Sequence, residues 1–513
     1  FDYAKSKDKR IIIVSDMYLP RQFLEKILNK VGIEGYERLF VSSEIGKLKS
    51  SGSMFDYVLS ELGVEPKEIL HIGDALKGDY LVPKYKKIDS FLLNRYVNRG
   101  VYNYRLKEDT VERGIINTFI NNSECGGRLF KIGYETLGPM LYGFCQWIHE
   151  KRHELGLNKL LFFARDGQLV FNCYQKMYPD EICEYVYFSR RSLTVPLICK
   201  LKDKQEILSI IPINRYTEIS SLIKRLGISY DENVMLIESF GFKKGQSYHR
   251  DFYFTDSNFD ELFAMLLPQI IDNSQNEYVG LCKYYEKIKS DGKIGLVDIG
   301  WKGTIQNAFE KFLSIFDPQT SVYGLYVGIM KNSVNSLGYV FQSTDKQLED
   351  AIVSFAGLFE TFFSADHGSV LSYEKEGQVI LCPFEYDLDE KARKEYVEIK
   401  EIQKGADCFI STIIKNSILN ELSLPKEVFF ENIKRLGTSP LLEDAKRFGN
   451  YYFFDTIITN LAKPNKSQFY SLKKILKDFS NSSWKIAYLK RVLRINMSYL
   501  SLYSLIKKIV SKK

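Results

Sequence analysis

Three stretches in the middle of the chain place charged or small residues directly after apolar runs. Leu160-Leu-Phe-Phe-Ala-Arg-Asp-Gly-Gln168 breaks into a turn carrying Arg165, Asp166 and Gly167. Glu184-Tyr-Val-Tyr-Phe-Ser-Arg-Arg-Ser192 ends in Arg190 and Arg191. Ile294-Gly-Leu-Val-Asp-Ile-Gly-Trp-Lys-Gly-Thr304 carries Asp298, then a glycine corner that opens a helix at Ile305-Gln306. Gly300 and Gly303, with Trp301 and Lys302 between them, let backbone N–H groups wrap an oxyanion. Thr304 adds a hydroxyl at the positive end of that helix. Asp298 can hold sugar hydroxyls or a metal, and the arginine pair can grip a pyrophosphate bidentately. One such corner alone is commonly just a turn, and two adjacent arginines are commonly solvated or ion-paired. Three corners in one strand–helix unit point to a site.

A second set lies near the N-terminus. Ser15 ends the run Ile11-Ile-Ile-Val14, and Lys49 sits in the polar loop Glu44–Gly52. Asp74 and Asp79 follow another apolar run in His71-Ile-Gly-Asp-Ala-Leu-Lys-Gly-Asp79. A hydroxyl and an ammonium can bind phosphate oxygens, while the two acids can hold Mg²⁺. A third patch, Glu360-Thr-Phe-Phe-Ser-Ala-Asp-His-Gly-Ser-Val370, is polar in an apolar frame. There Glu360, Asp366 or His367 could serve as general base, or the patch is an ordinary capped turn. His71, His149, His153 and His249 take no role in this reading.

These residues need strands to carry them. Strand patterns at Arg10–Ser15, Arg38–Ser43, Glu68–Asp74 and Asp89–Asn94 alternate with helix-period segments. A second strand set covers Lys159–Ala164, Glu184–Ser189, Lys293–Asp298 and Val322–Ile329. The fold class is therefore α/β, with active residues at the C-terminal ends of parallel strands. The organisation expected is a domain over 1–97, a second over 98–385 and a helical region over 386–513. The second domain is split by a mostly helical insertion at about 200–290.

The chain has 513 residues, 45% of them hydrophobic and 26% charged. That allows two or three domains with real cores and excludes a disordered, collagen-like or disulfide-scaffold protein. Eight cysteines without a C-x-x-C pair, and only five histidines, argue against a structural zinc site. They fit reduced thiols in a cytosol. Neither a signal peptide nor a transmembrane helix is expected. The net charge of +7 is concentrated in the tail, where Trp484 to Lys513 holds eight Lys or Arg and no acid. Apolar residues at helical spacing alternate there with Lys485, Lys490, Arg491 and Arg494. This pattern suits an interfacial helix on anionic lipid, or a helix packed on the body with a solvated basic face. The near-neutral body argues against nucleic acid.

The N-terminal set resembles the haloacid dehalogenase phosphatases over roughly residues 9–95. Ser15 in Ser-Asp-Met-Tyr-Leu-Pro20 is similar to their motif II, Lys49 to motif III, and Asp74 with Asp79 to motif IV. The family's motif I, a DxD that supplies the aspartyl nucleophile, has no match upstream of Ser15. Asp387-Leu-Asp389 follows no apolar strand and does not qualify. A parallel sheet without that central strand would have two unpaired edges, so a missing segment is expected in preference to a dead scaffold. The second set resembles the type I phosphoribosyltransferases. The resemblance implies that Asp166 and Gly167 belong to a pyrophosphate loop and Arg190 or Arg191 to a pyrophosphate clamp. It also puts Asp298 at the ribose and Gly300 to Thr304 at the 5-phosphate of phosphoribosyl pyrophosphate (PRPP). Ile299 departs from the family, which usually has a second acid there.

As a pair, the two domains resemble the two-domain ribofuranosyltransferases of bacterial polysaccharide assembly. The resemblance implies an Mg²⁺-dependent enzyme that moves phosphoribose from PRPP to a lipid-linked glycan and then removes the 5-phosphate. It also implies a cytoplasmic protein held at the inner face of the plasma membrane. Two rival expectations are a degenerate binding or regulatory protein and a nucleobase phosphoribosyltransferase fused to a phosphatase.

Overall fold

The computed structural model describes residues 1–93, 111–121, 126–330, 335–416, 424–454, 458–465, 472–495 and 497–510. Lys512 and Lys513 of the basic tail lie outside the described residues. The chain divides into two compact units, Phe1–Arg99 and Gly100–Lys513.

In the first unit, β1 (Ile12–Ser15) pairs in parallel with β2 (Arg38–Val41), and β3 (Leu70–Gly73) pairs with β4 (Asp89–Leu92). Helices Arg21–Lys30 and Ser53–Leu62 fill the connections. Among the described residues no ladder joins β1–β2 to β3–β4. Leu24, Leu39 and Val41 form one small core, and Phe40, Met54 and Val58 another. The strand residues Leu70, Ile72 and Phe91 are 61%, 53% and 58% exposed, unusual for apolar side chains of a parallel sheet.

The second unit is built on β5 (Lys159–Phe163), β6 (Cys183–Val186), β9 (Lys293–Trp301), β10 (Ser321–Ile329) and β11 (Ser336–Phe341). A small antiparallel pair, β7 (Tyr216–Glu218) and β8 (Ser247–His249), lies in the insertion between β6 and β9. The five strands form one all-parallel sheet in the order β11-β10-β9-β5-β6. The α/β class and the four strands expected of this unit are present. β11, which the sequence pattern did not indicate, extends the edge beyond β10.

Continuous apolar runs mark strands covered on both faces, and the side chains here alternate between two cores. Leu160, Phe162, Val297, Leu325 and Val327 point into one. Leu161, Phe163, Leu296 and Val322 point into the other. The insertion has its own core, around Leu222, Tyr253, Phe259 and Leu266, and ends in the long helix Ser257–Ile288.

The residues after 386 do not form a region apart. Helix Glu390–Ile414 puts Ile399, Ile402, Ala406 and Phe409 into the first core. The tail does the same, which corrects the lipid-lying helix. Trp484 is fully buried and donates its indole N–H to the Gly437 carbonyl at 2.8 Å. Ile486, Ala487, Tyr488 and Leu489 of helix Lys485–Leu493 are buried too, so this apolar face is occupied by the body. Amphipathic spacing reads the same whether the apolar side meets lipid or core. No helix among the described residues is long and apolar enough to cross a membrane.

Candidate active site at the ends of the parallel strands

The loops leaving β5, β6 and β9 start at the same edge of the sheet, because parallel strands place their C-terminal ends together. After β5, the Ala164–Arg165 peptide is cis, and Asp166 sits at the N-cap of helix Gly167–Met177. After β6, Ser189 caps helix Arg190–Leu197. Its Oγ accepts the Ser192 N–H at 3.0 Å, and Ser192 Oγ accepts the Ser189 N–H at 2.9 Å. This reciprocal box fixes the backbone from which Arg190 projects. At the end of β9 and just beyond it, the chain turns through left-handed backbone at Gly300, Trp301 and Gly303, with φ of 107°, 87° and 63°. Helix Thr304–Phe316 then begins, with its first-turn N–H groups free of helical partners. Gln306 locks that end of the helix in place. Its Oε1 accepts the Tyr326 and Ser336 hydroxyls at 2.8 and 2.9 Å, and its Nε2 donates to Glu310 at 2.8 Å.

Asp166, Arg190, Asp298, Gly300, Thr304 and Glu360 line one cleft of about 200 Å³. A groove of about 340 Å³ runs on from it, sharing Arg190 and Thr304 and reaching Pro212 of the insertion and Lys311. A smaller pocket on the other side shares Asp166 and Glu360 and adds Arg165. The glycine corner therefore opens on the same space as the β5 turn.

The electrostatics of the cleft are dominated by acids. Burial pushes the Asp298 carboxyl well above the ordinary carboxylate range, and the nearby Asp166 and Glu360 add to the effect. The Ile299 N–H, donated to Asp298 Oδ1 at 2.8 Å, and Arg190 offset only part of this. Burial likewise raises Asp166, with Arg165 pulling it back. A cation or a set of donor hydroxyls would relieve the repulsion. Among the described residues Arg190 has no ion-pair or side-chain hydrogen-bond partner.

No protein-family model matches this chain, and no curated protein matches it.

Several expected residues fall elsewhere. Arg191 turns away from the cleft and pairs bidentately with Glu277, Nη1–Oε2 at 3.0 Å and Nη2–Oε1 at 2.9 Å. It also donates to the Leu371 carbonyl, so of the two arginines only Arg190 lines the cleft. His367 is engaged at both ring nitrogens. Nδ1 faces the Gly368 carbonyl at 2.8 Å and must carry the proton, while Nε2 accepts the Tyr185 hydroxyl at 2.7 Å. His367 therefore holds Tyr185 and is no base at the cleft. Asp366 is exposed and exchanges hydrogen bonds with Gln168. Lys302 is exposed outside the cleft lining, and Gly167 is packed against Phe162. Arg165 pairs with Glu385, a partner the sequence did not indicate.

Glu360, by contrast, does line the cleft. The Trp301 indole N–H donates to its Oε1 at 2.8 Å, and the Trp301 ring is stacked on Phe341 with Phe359 edge-on. A tryptophan in left-handed backbone costs of order 1–2 kcal/mol. Here that conformation aims the indole at Glu360. Tyr326, another wall of the cleft, was not legible as a site residue because it lies within an apolar strand run.

The glycine corner yields a paired expectation. A Cβ on Gly300 would stand 2.5 Å from the Gly328 carbonyl oxygen and 2.9 Å from Tyr326 Cβ, whereas one on Gly303 meets only Ile329 Cδ1 at 3.7 Å. Gly300→Ala should therefore lower stability by about 2 kcal/mol or more, read as a lower midpoint in calorimetric melts. Gly303→Ala should cost only about 1 kcal/mol in the same melts.

In the first unit the structure joins Lys49 to Asp79 at 2.6 Å. The two Asp79 oxygens are both filled. Oδ1 faces Lys49 Nζ and His71 Nε2, the latter at 2.9 Å, and Oδ2 accepts the Asp74 and Ala75 N–H groups at 3.1 and 2.9 Å. Asp79, 2% exposed, is thus a positioning residue for the Lys49 ammonium and the Asp74 loop, not a metal ligand as it stands. His71, assigned no role by sequence, completes this set. Asp74 lies exposed at the end of β3, and Ser15 ends β1. Asp16, next to Ser15, accepts the Lys49 N–H on both carboxylate oxygens at 3.0 Å.

Burial alone would raise the Asp79 carboxyl, but Lys49, His71 and the Ala75 N–H overcome it and hold it at about 2, against an ordinary 3.8. A depressed folded-state value contributes stability above pH 3.8 that is lost as pH falls through about 2. After discounting for partial solvation, that contribution is about 1–2 kcal/mol. Hydrogen exchange at Leu70–Tyr85 should accelerate over that acid range. In Asp79→Asn the acceleration should already be present at neutral pH.

Proposed function

We propose that the second unit transfers a phosphoribosyl group from PRPP to a glycan hydroxyl, and that the first unit handles the 5-phosphate of the product. The observation that carries this reading is the convergence of Asp166, Arg190, Asp298, the Gly300–Thr304 corner and Glu360 on one cleft. The corner and the helix start behind it offer N–H groups and a hydroxyl to the 5-phosphate. Asp298, in the C-terminal half of the central strand, suits the ribose hydroxyls. Arg190 is placed for the pyrophosphate.

In the step itself the acceptor oxygen attacks the anomeric carbon, the bond from that carbon to the pyrophosphate oxygen breaks, and pyrophosphate leaves. The acceptor proton passes to Glu360, whose carboxylate is oriented by Trp301. Arg190 neutralises charge building on the leaving group. Asp166 and Asp298, which line the same cleft, would be the residues to hold an Mg²⁺ ion, which would supply further charge neutralisation for the pyrophosphate. The groove reaching Pro212 and Lys311 is open for an acceptor. The exposed tail cation Arg494 would add salt-sensitive attraction to an anionic lipid surface, about 1 kcal/mol per charge at most.

For the first unit, Ser15 and Lys49 suit phosphate oxygens, with Asp79 holding the ammonium in place. Hydrolysis through an aspartyl-phosphate would need a carboxylate nucleophile in addition to these groups.

The test is pyrophosphate release from PRPP with Mg²⁺, offered lipid-linked glycans, free nucleobases or no acceptor. Release with glycans supports the proposal. Release with bases alone makes the second unit a nucleobase transferase. No release with any acceptor, despite bound PRPP, returns it to a binding protein, which the apolar Ile299 in place of a second acid favours.

A further inference from the structure

Helix Gly138–Leu155 carries His149 and His153 four residues apart, hence on one face. Both rings face Glu181, which lies in the loop between helix Gly167–Met177 and β6. His149 Nδ1 is 2.6 Å and His153 Nε2 3.2 Å from the same carboxylate oxygen, Oε1. The other oxygen is engaged separately. Arg152 Nη1 donates to Oε2 at 2.8 Å, and so does the Tyr174 hydroxyl. His149 Nδ1 is buried, yet despite its closeness to Oε1 it is not aligned for a hydrogen bond with any group. Its ring is held flat against Tyr178, centroids 4.0 Å apart and planes at 1°.

Two imidazole nitrogens and one carboxylate oxygen therefore converge, each within 4.8 Å of the others, and a buried nitrogen among them lacks a proper partner. We propose that His149, His153 and Glu181 form a binding site for a divalent transition-metal ion of the zinc type. Two nitrogens and one oxygen suit such an ion, whereas Mg²⁺ and Ca²⁺ prefer oxygen-only sets. Ligand atoms around a tetrahedral ion with bonds of about 2.0–2.1 Å stand roughly 3.3 Å apart. The His153–Glu181 spacing already matches, and His149 needs to retreat by about 0.7 Å relative to that figure. Arg152 and Tyr174 orient the carboxylate from behind, as outer partners of metal ligands do. Arg152 is itself tied to the Asn158 carbonyl at 3.2 Å. Its positive charge opposes the ion, so the affinity is moderate. His153, 65% exposed on its side chain, leaves room for water as the fourth ligand.

The position sets the role. β5 begins just after the histidine helix and β6 just after Glu181, so this cluster sits at the N-terminal ends of the strands. The cleft lies at their C-terminal ends. The ion would tie the helix to the entry of β6 and take no part in chemistry there. The sequence had argued against a structural zinc site on its scattered cysteines and its few histidines. The three ligands here include no cysteine, and Glu181 is 28 positions from His153.

The experiment titrates the intact, chelator-treated protein with Zn²⁺ by calorimetry at neutral pH and follows thermal unfolding with and without the ion. One Zn²⁺ per chain with a dissociation constant on the order of micromolar, and a higher melting temperature when bound, is expected. Co²⁺ should give the visible absorption of a tetrahedral site. His153→Ala, at an exposed position, should unfold like the parent without metal yet bind at least about tenfold more weakly, as should Glu181→Gln. Absence of stoichiometric binding, or binding unchanged in both variants, overturns the proposal.

Discussion

An Arg190→Ala variant is expected to fold like the parent and to lose PRPP-dependent pyrophosphate release by at least about a hundredfold, equivalent to about 2.7 kcal/mol of transition-state stabilisation. The reason is the division of labour between two adjacent arginines. Arg190 is exposed at the mouth of the cleft, with no ion-pair partner among the described residues, so its removal costs the fold little. Arg191 grips Glu277, a nearly buried acid on the long helix of the insertion. Asn273 donates to the same carboxylate at 3.0 Å. Removing Arg191 strands that charge, and Arg191→Ala should destabilise the unit by about 3–5 kcal/mol. Below the shifted melting temperature it should retain PRPP binding. Calorimetric melts paired with PRPP titrations separate the two effects. If Arg190→Ala binds PRPP as the parent does, the cleft is not a pyrophosphate site.

That same pair shows where sequence stops being informative. The β5, β9 and β10 strands were legible because apolar runs buried on both faces have few alternatives, and β6 because its short run leads directly into charge. The chemistry at their ends was legible because charge and glycine directly after such a run can face only the sheet edge. Which arginine faces the cleft was not, since consecutive residues at a helix start point about 100° apart, and the deciding partner, Glu277, is 86 positions away. His367 failed for a similar reason. Its partner Tyr185 lies 182 positions upstream, on β6. β11 was missed because Ser336-Leu-Gly-Tyr-Val-Phe341 contains a glycine and starts polar. The tail pattern was read correctly as amphipathic, but periodicity reports an apolar face and not what covers it. In the first unit, residue type and strand order singled out Lys49 and Asp79, but as a phosphate ligand and a metal ligand, not as the ion pair they form. The part played by His71 did not, since a lone histidine before an apolar run carries no directional signal.

Replacing Asp298 with asparagine should reduce transfer and strengthen the fold in one step. The carboxyl is held well above the ordinary range by burial and by Asp166. An acid with a raised folded-state value binds its proton more tightly when folded, so the protein loses stability as pH rises from the ordinary carboxyl range through the raised value. At neutral pH the fold carries the cost of keeping this acid buried, whether charged or protonated against its ordinary range. Asp298→Asn removes that cost while keeping the shape, and its melting temperature should exceed the parent's at pH 7 and match it in acid. Activity moves the other way. Only the ionised carboxylate accepts from two ribose hydroxyls or holds a cation, so kcat/KM of the parent should rise with pH along a limb above the ordinary carboxyl range. In Asp298→Asn that limb should vanish, and kcat/KM at its plateau should fall by about a hundredfold or more. A residue that merely supported the loop would lose stability and activity together. Opposite changes in the two are the mark of a charge placed for a ligand.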